Sequence, residues 1–308
     1  MTIKTAADPA TRDRKTKVKR QTDWAAEARG IFWLVMAVLG FHSFIAKPFY
    51  IPSESMMPGL LTGDRLVVSK FAYGWSHVSP TVPNPAAIFR SVVLREPEPT
   101  WTVQFAPSPG RWWGTMPERG DVVIATPPGR NEDYIKRVIG LPGDRFEVKR
   151  GVVFIDNTPV ARRELGYRRF AIDANSPCLE EVYPGARVRD GEGRDWCRLP
   201  VVRETLPNGR SFDTIDLGYD PNVDDYDPMT IPAGHVFLMG DNRDRSADSR
   251  VGLANRGLGG PVPWENLGGR AELITFSLDG SESWWNPLSW LGGLRAGRAG
   301  TSLHATAQ

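Results

Sequence analysis

Two serines near the N-terminal end of this sequence have the type and spacing that nucleophilic chemistry needs. Ser53 and Ser55 lie two residues apart in "FYIPSESMMPGL", where prolines on either side stiffen the backbone. On an extended chain their side chains would point to the same side, so one hydroxyl could attack a carbonyl while the other donates to the oxyanion. A proline-flanked linker is the alternative interpretation of this stretch.

Two lysines are candidates for the base that would activate such a serine. The sequence holds eight lysines against thirty arginines, and Lys70 in "LVVSKFAY" and Lys136 in "DYIKRVIG" lie inside apolar runs. Burial can lower the pKa of a lysine until its neutral amine removes a proton from a serine hydroxyl. The residues alone leave both lysines open, and each could instead extend from a strand edge into solvent.

Histidine, metal and cofactor chemistry have little support in the sequence. Of the four histidines, His42 lies in an apolar run, His304 in an expected frayed tail, and His77 and His235 in ordinary surroundings. The histidine content therefore argues against a Ser-His-Asp arrangement and against a histidine-bound metal, and no HExxH, phosphate-loop or dinucleotide motif occurs. We expect neither a metal nor a cofactor.

A dense cluster of charges and hydroxyls follows an apolar run near residue 240. The segment "MGDNRDRSADSR" at 239–250 mixes opposite charges that suit an interlocked hydrogen-bond network able to hold loops and orient a lysine. A solvated surface turn and a calcium loop are the alternatives, although the acidic spacing does not match an EF-hand. Its members are Asp241, Arg243, Asp244, Arg245, Ser246, Asp248, Ser249 and Arg250.

The segment from Gly30 to Ala46 carries no charged residue and predicts a transmembrane helix over 29–47. At 1.5 Å per residue the run spans roughly 26 Å. A buried core helix and a cleaved signal peptide are the alternatives. The basic tail at 1–28 predicts a cytoplasmic N-terminus, with the rest of the chain outside. A nucleic-acid-binding tail is the weaker interpretation, because an apolar span follows the basic residues. The net charge of +2 indicates no particular partner, and we expect no nucleic-acid partner.

The outer part of the chain is predicted to be rich in β-strands. Short β-branched runs alternate with Gly, Pro, Asp and Asn, and a hairpin is expected to turn near 149–151. Two stretches, 75–118 and 157–230, are predicted to be insertions. The predicted strands occupy 64–73, 121–126, 133–140, 145–156, 234–240 and 270–277.

Four motifs in this order resemble the bacterial type I signal peptidases, the leader peptidase family of membrane-bound Ser-Lys proteases. "IPSESMMPGL" resembles the serine box of that family, "GDRLVVSKFAYG" its second box, and "GDNRDRSADSR" its final box. "RGDVVIATPP" together with "DYIKRVIGLPGD" resembles the lysine box. One departure is Gly59, where the family usually has threonine.

The resemblance implies a role for each matching residue. Ser55 matches the nucleophile and Lys136, rather than Lys70, the general base. Ser53 matches the second oxyanion donor beside the backbone amide of Ser55, and Ser246 the residue that orients the lysine amine. The supporting charge network corresponds to Asp241, Arg243, Asp248 and Arg250.

The resemblance also implies an architecture. We expect a mainly β fold in which one N-terminal transmembrane helix precedes an antiparallel β-sheet catalytic core, made of 48–145 and 233–280. Residues 146–232 would form a small inserted subdomain. Cys178 and Cys197 would form its disulfide, with two free thiols as the alternative. The tryptophan-rich tail, 281–308, would lie at the bilayer interface or pack as an ordinary apolar end.

The function expected from the sequence is removal of signal peptides from secretory preproteins at Ala-x-Ala-type sites. The enzyme would be a membrane-bound serine endopeptidase that works through an acyl-enzyme. It would cross the bacterial inner membrane once and contact membrane lipid, with its catalytic domain in the periplasm. One alternative is a Ser-Lys processing peptidase dedicated to one or a few precursors. The other is a non-catalytic, membrane-anchored binding protein.

Overall fold

The computed structural model describes residues 23–80, 82–90, 103, 105, 110–130, 132–283 and 285–307. Its first element is helix α1 (Trp24–Phe44), which is long and apolar enough to cross a membrane by length and composition. The helix begins five residues before the predicted span of 29–47 and ends three residues before its end. It ends early because Ala46–Tyr50 forms a strand. Most of the predicted basic tail, residues 1–22, lies outside the described residues.

Three short helices follow, and each begins with the sequence pattern expected of a helix N-terminus. They are α2 (Pro85–Phe89), α3 (Pro221–Asp224) and α4 (Pro287–Gly292). The residues before them, Asn84, Asp220 and Asn286, accept hydrogen bonds from backbone amides of the first turn. Proline at the first helical position lacks only an N–H that would have no partner in the helix.

Strands make up most of the regular structure, which confirms the predicted mainly β fold. Those in the described residues are β1 (Ala46–Tyr50), β2 (Asp64–Ser69), β3 (Val122–Ala125), β4 (Tyr134–Gly140), β5 (Arg145–Lys149), β6 (Val152–Ile155), β7 (Thr158–Pro159), β8 (Ala161–Ala171), β9 (Arg187–Arg189), β10 (Asp195–Thr205), β11 (Arg210–Ile215), β12 (Tyr226–Thr230), β13 (His235–Met239), β14 (Val262–Pro263), β15 (Leu267–Ser277) and β16 (Thr306–Ala307).

The largest sheet has seven strands in the order β1-β2-β15-β3-β4-β13-β14, and every pairing is antiparallel. Strands β3 and β4 lie inside this sheet and are buried almost along their whole length. Lys136 and Arg137 are therefore held in the interior by a strand that is paired on both sides.

Two smaller sheets are built mainly from the predicted subdomain. One has the order β16-β11-β10-β8 with β9 beside β10, and the other has the order β12-β5-β6-β7. The predicted hairpin is confirmed between β5 and β6. Its two turn residues, Arg150 and Gly151, have φ of 48° and 76°, which suits a tight two-residue turn. The division into core and subdomain at 146 and 232 stays a prediction.

Several predicted elements differ from the structure. The strand predicted over 64–73 stops at Ser69, because Phe71–Tyr73 forms a 3-10 helix. The tail expected to fray instead pairs β16 with β11, and His304 contacts Glu272 at 2.6 Å. Much of the predicted 75–118 insertion, and Trp284 of the tail, lie outside the described residues.

Candidate active site

The turn that carries Ser55 is a 3-10 helix, Glu54–Met56, with Ser53 in an extended conformation at its N-cap. The hydroxyls of Ser53 and Ser55 lie 3.4 Å apart, within hydrogen-bond reach. The expectation of one extended chain through both serines is wrong, since the backbone turns between them. Met56, the last residue of the turn, is fully buried in the apolar core and anchors the turn there.

Lys136 lies on β4 and donates its Nζ to Ser55 Oγ at 2.8 Å. Both side chains are buried, with residue exposures of 3% for the lysine and 7% for the serine. Burial lowers the pKa of Lys136 from 10.5 to about 8, although the Asp248 and Asp241 carboxylates favour its charged form. About one tenth of the amine is therefore neutral at pH 7, far more than for an unshifted lysine, and a general base requires this neutral form.

Lys70, the other candidate base, is also buried but bonds elsewhere. Its Nζ donates to the Ser79 carbonyl oxygen at 2.7 Å. Burial, helped by the charge of Lys47, lowers the pKa of Lys70 to about 8 as well. A low lysine pKa thus does not distinguish the two candidates, whereas the direct contact with Ser55 does.

Two buried ion pairs hold the loop that follows β13. Arg137, next to Lys136 on β4, donates Nε and Nη2 to Asp241 at 2.8 and 2.6 Å. Arg243 donates Nη2 to Glu204 of β10 at 2.6 Å. All four side chains are almost inaccessible to solvent, so removing one partner would leave a buried charge uncompensated.

A third buried pair acts electrostatically on Lys136. Arg250 donates Nε and Nη2 to Asp248 at 2.9 Å, and Asp248 Oδ2 accepts from the Gly240 amide at 2.9 Å. Although burial opposes ionisation, the charge of Arg250 keeps the pKa of Asp248 low. The negative charge of Asp248 favours the protonated form of Lys136, so it partly offsets the lowering of the lysine pKa by burial.

Ser246 lies in the same loop but makes no hydrogen bond to any described residue through its buried Oγ. Its predicted role of orienting the Lys136 amine is not supported by a hydrogen bond here. A Cβ on Gly240 would lie 2.2 Å from Ser246 Oγ and 2.5 Å from the Ser55 carbonyl oxygen. Glycine at 240 therefore lets the loop approach the turn that carries Ser55 closely.

Two residues that the sequence analysis did not select complete the support of the turn. The Asn242 amide donates to the Ser55 carbonyl at 3.1 Å, and Asn242 Nδ2 donates to the Glu54 carbonyl at 3.2 Å. The Tyr183 hydroxyl donates to Glu54 Oε2 at 2.9 Å. Asn242 stands inside the final motif, but no local pattern around Tyr183 indicates such a contact.

Cys178 and Cys197 are joined by a disulfide, with their Cα atoms 5.7 Å apart. Both half-cystines are buried in an apolar cluster that includes Tyr183 and Met57. Met57 directly follows the 3-10 turn that carries Ser55. The disulfide-closed loop is thus packed against the segment that carries Ser55.

Taken together, these groups suit covalent catalysis by a serine. The hydroxyl of Ser55 has a buried amine in contact and a second hydroxyl beside it. In the part of the chain that the structure describes, no group of three or more His, Cys, Asp or Glu side chains is placed to hold a metal ion. The fold and the site suit a β-sheet hydrolase in which a serine and a buried lysine act as a pair.

The chain belongs to the signal peptidase, peptidase S26 family, whose model matches residues 23–276. This confirms the family predicted from the four motifs, and the protein is a signal peptidase enzyme of the class that uses a Ser-Lys dyad. Signal peptidase I of Rickettsia canadensis (strain McKiel) is 31% identical over 281 residues, covering 89% of this chain and 86% of that one.

Other relatives have the same description. Signal peptidase I of Rickettsia prowazekii (strain Madrid E) is 32% identical over 265 residues, covering 83% of this chain and 81% of that one. A crystal structure of a signal peptidase I from Enterococcus faecalis V583 is 21% identical and covers 51% of this chain and 97% of that one, with a TM-score of 0.26.

Proposed function

We propose that Ser55 and Lys136 are the nucleophile and the general base with which this signal peptidase cleaves secretory preproteins. The observation that carries the assignment is the 2.8 Å contact between Lys136 Nζ and Ser55 Oγ in a buried setting. Lys70 has a similar pKa but donates to a backbone carbonyl instead. Contact and burial together favour Lys136 as the base.

The reaction follows from these two groups. Neutral Lys136 takes the proton of Ser55 Oγ as that oxygen attacks the scissile carbonyl carbon. The protonated amine then gives its proton to the leaving amine of the mature protein, and an ester to Ser55 remains. Lys136 next removes a proton from a water molecule as that water attacks the ester carbon. The ester bond then breaks, the protonated lysine returns the proton to Ser55 Oγ, and the signal peptide leaves with a new carboxyl end.

The developing oxyanion needs donors close to Ser55. We assign Ser53 Oγ and the backbone amide of Ser55 to this role, since the two hydroxyls are 3.4 Å apart at the start of the turn. A fixed donor near developing charge is typically worth a few kcal/mol of activation free energy. Ser53→Ala should therefore lower kcat by about a hundredfold without abolishing it.

The charge network supports this geometry rather than taking part in the bond changes. Asp241 and Arg243 anchor the loop after β13 through Arg137 and Glu204. We assign Ser246 to the same supporting group on its buried position near Gly240. The Asp248–Arg250 pair, together with Asp241, sets the electrostatic environment of Lys136.

Substrates and location complete the proposal. A preprotein held in the bilayer by its apolar segment presents its cleavage site just outside, and small residues of an Ala-x-Ala site would fit a confined apolar site. Basic residues before α1 favour a cytoplasmic N-terminus in a bacterial inner membrane. Exposed Trp285, Leu288 and Leu291 around α4 suit contact with lipid.

The test is cleavage of a purified preprotein with an Ala-x-Ala site, in detergent micelles, by wild type, Ser55→Ala, Lys136→Ala and Lys70→Ala. We expect cleavage at that site by wild type and by Lys70→Ala, and none by the other two. Full activity in Ser55→Ala or Lys136→Ala would refute the assignment. Cleavage of only one among several preproteins would favour a dedicated peptidase.

A further inference from the structure

The turn that carries Ser55 is too short to fix its own position. Glu54–Met56 is a three-residue 3-10 helix, closed by one backbone bond from the Met57 amide to the Glu54 carbonyl at 3.0 Å. A single turn gains little from its own hydrogen bonds. The placement of Ser55 Oγ against Lys136 therefore depends on groups that hold the turn from outside.

One hydroxyl joins the two groups that flank this turn. Tyr183 donates to Glu54 Oε2 at 2.9 Å and accepts from Asn242 Nδ2 at 2.9 Å. Asn242 in turn donates to the carbonyls of Glu54 and Ser55, at 3.2 and 3.1 Å. The Tyr183 hydroxyl thus connects the side chain of Glu54 to Asn242, whose backbone amide binds the carbonyl of Ser55.

The ring of Tyr183 is itself firmly held. Its residue exposure is 2%, and it packs in the apolar cluster with Met57 and the disulfide of Cys178 and Cys197. Its amide donates to the Leu179 carbonyl at 2.8 Å within the disulfide-closed loop. A hydroxyl on so fixed a ring has a defined position, which is what a positioning group needs.

We propose that Tyr183 is a positioning residue of the peptidase, which locks the nucleophile turn through Glu54 and Asn242. The inference rests on the proposed function of Ser55. Tyr183 acts through the enzyme's own groups, so its loss affects the transition state and not the initial binding of the preprotein. The residue lies outside the four motifs that predict the family.

The test is the single-turnover cleavage rate and KM of Tyr183→Phe, which keeps the ring and removes only the hydroxyl. Losing a buried hydrogen bond on each side of the turn should lower the rate about tenfold, with KM within twofold of wild type. Tyr167→Phe is the matched control, since Tyr167 lies on β8 of the same region with an exposed ring over Arg198. We expect its rate to be unchanged.

A double-mutant cycle separates positioning from simple loss of stability. If Tyr183 acts through Glu54, then Glu54→Ala lowers the rate similarly, and the double variant is no slower than the slower single variant. Rates are compared at a temperature well below each Tm. Additive effects, or an unchanged rate in Tyr183→Phe, would refute the proposal. Such a failure would leave the proposed function intact as long as Ser55→Ala is inactive.

Discussion

If Lys136 is the general base, as proposed, its lowered pKa makes the rate of this enzyme depend on pH in a defined way. With a pKa of about 8, the neutral fraction of the amine is about one tenth at pH 7 and about nine tenths at pH 9. Because only the neutral amine can accept the serine proton, kcat/KM should rise about tenfold between these values and then level off. An unshifted lysine with a pKa of 10.5 would be neutral in only about 0.03% of molecules at pH 7.

The assay is initial-rate cleavage of a preprotein in detergent across pH 6 to 10, at substrate concentrations well below KM. Lys70 needs a control, because burial lowers its pKa to the same region. Lys70→Met should therefore be measured beside wild type. We expect the two normalised profiles to coincide, since Lys70 donates to Ser79 and does not contact the nucleophile.

Two results would refute this reasoning. A rate that is constant between pH 7 and 9 would mean that proton removal by a group with a pKa near 8 does not limit the reaction. If the rise in kcat/KM disappears in Lys70→Met, the titrating group is Lys70. The contact between Lys136 and Ser55 would then not explain the pH dependence. A separate check of folding across this range by circular dichroism excludes loss of structure as the cause.

Three further predictions concern two glycines near the Ser55 turn and one buried ion pair. Gly240→Ala should lower kcat at least tenfold, because its Cβ would lie 2.5 Å from the Ser55 carbonyl oxygen. Gly59→Ala should keep activity within twofold, since its Cβ would only reach ordinary contact at 3.5 Å; equal effects of the two changes would contradict this. Asp241→Asn should destabilise the fold by about 3 kcal/mol in urea unfolding, because Arg137 loses its buried partner; no change would refute it.

The sequence predicts the fold class and the family because the information for both is local. Short β-branched runs and the turn at 149–151 are visible in the order of residues, and four motifs keep their order around Ser55 and Lys136. The same local information cannot choose between Lys70 and Lys136 without the resemblance. Both lysines are buried and have lowered pKa values, and only the pairing of β4 brings one of them to the serine.

Contacts between distant segments are what the sequence analysis missed. Glu204, the buried partner of Arg243, lies on β10, where strand periodicity gives no reason to expect an ion pair. Tyr183 reaches Glu54 across 129 residues of chain. The 3-10 turn at Ser55 was also not predicted, because the pattern of prolines and serines fits an extended segment equally well.

The nucleophile and its supports come from widely separated parts of the chain, which has a consequence for synthesis. Lys136 is 81 residues beyond Ser55, and Asn242 bonds the Glu54 carbonyl across 188 residues. Such long-range closure is slow compared with local folding, and the N-terminal part of a chain emerges first. We therefore expect a nascent chain to expose Ser55 without Lys136 in contact until β4 has folded against the Ser55 turn. Under the proposed assignment of Ser55 and Lys136, we expect proteolytic activity to arise only after these long-range contacts have formed.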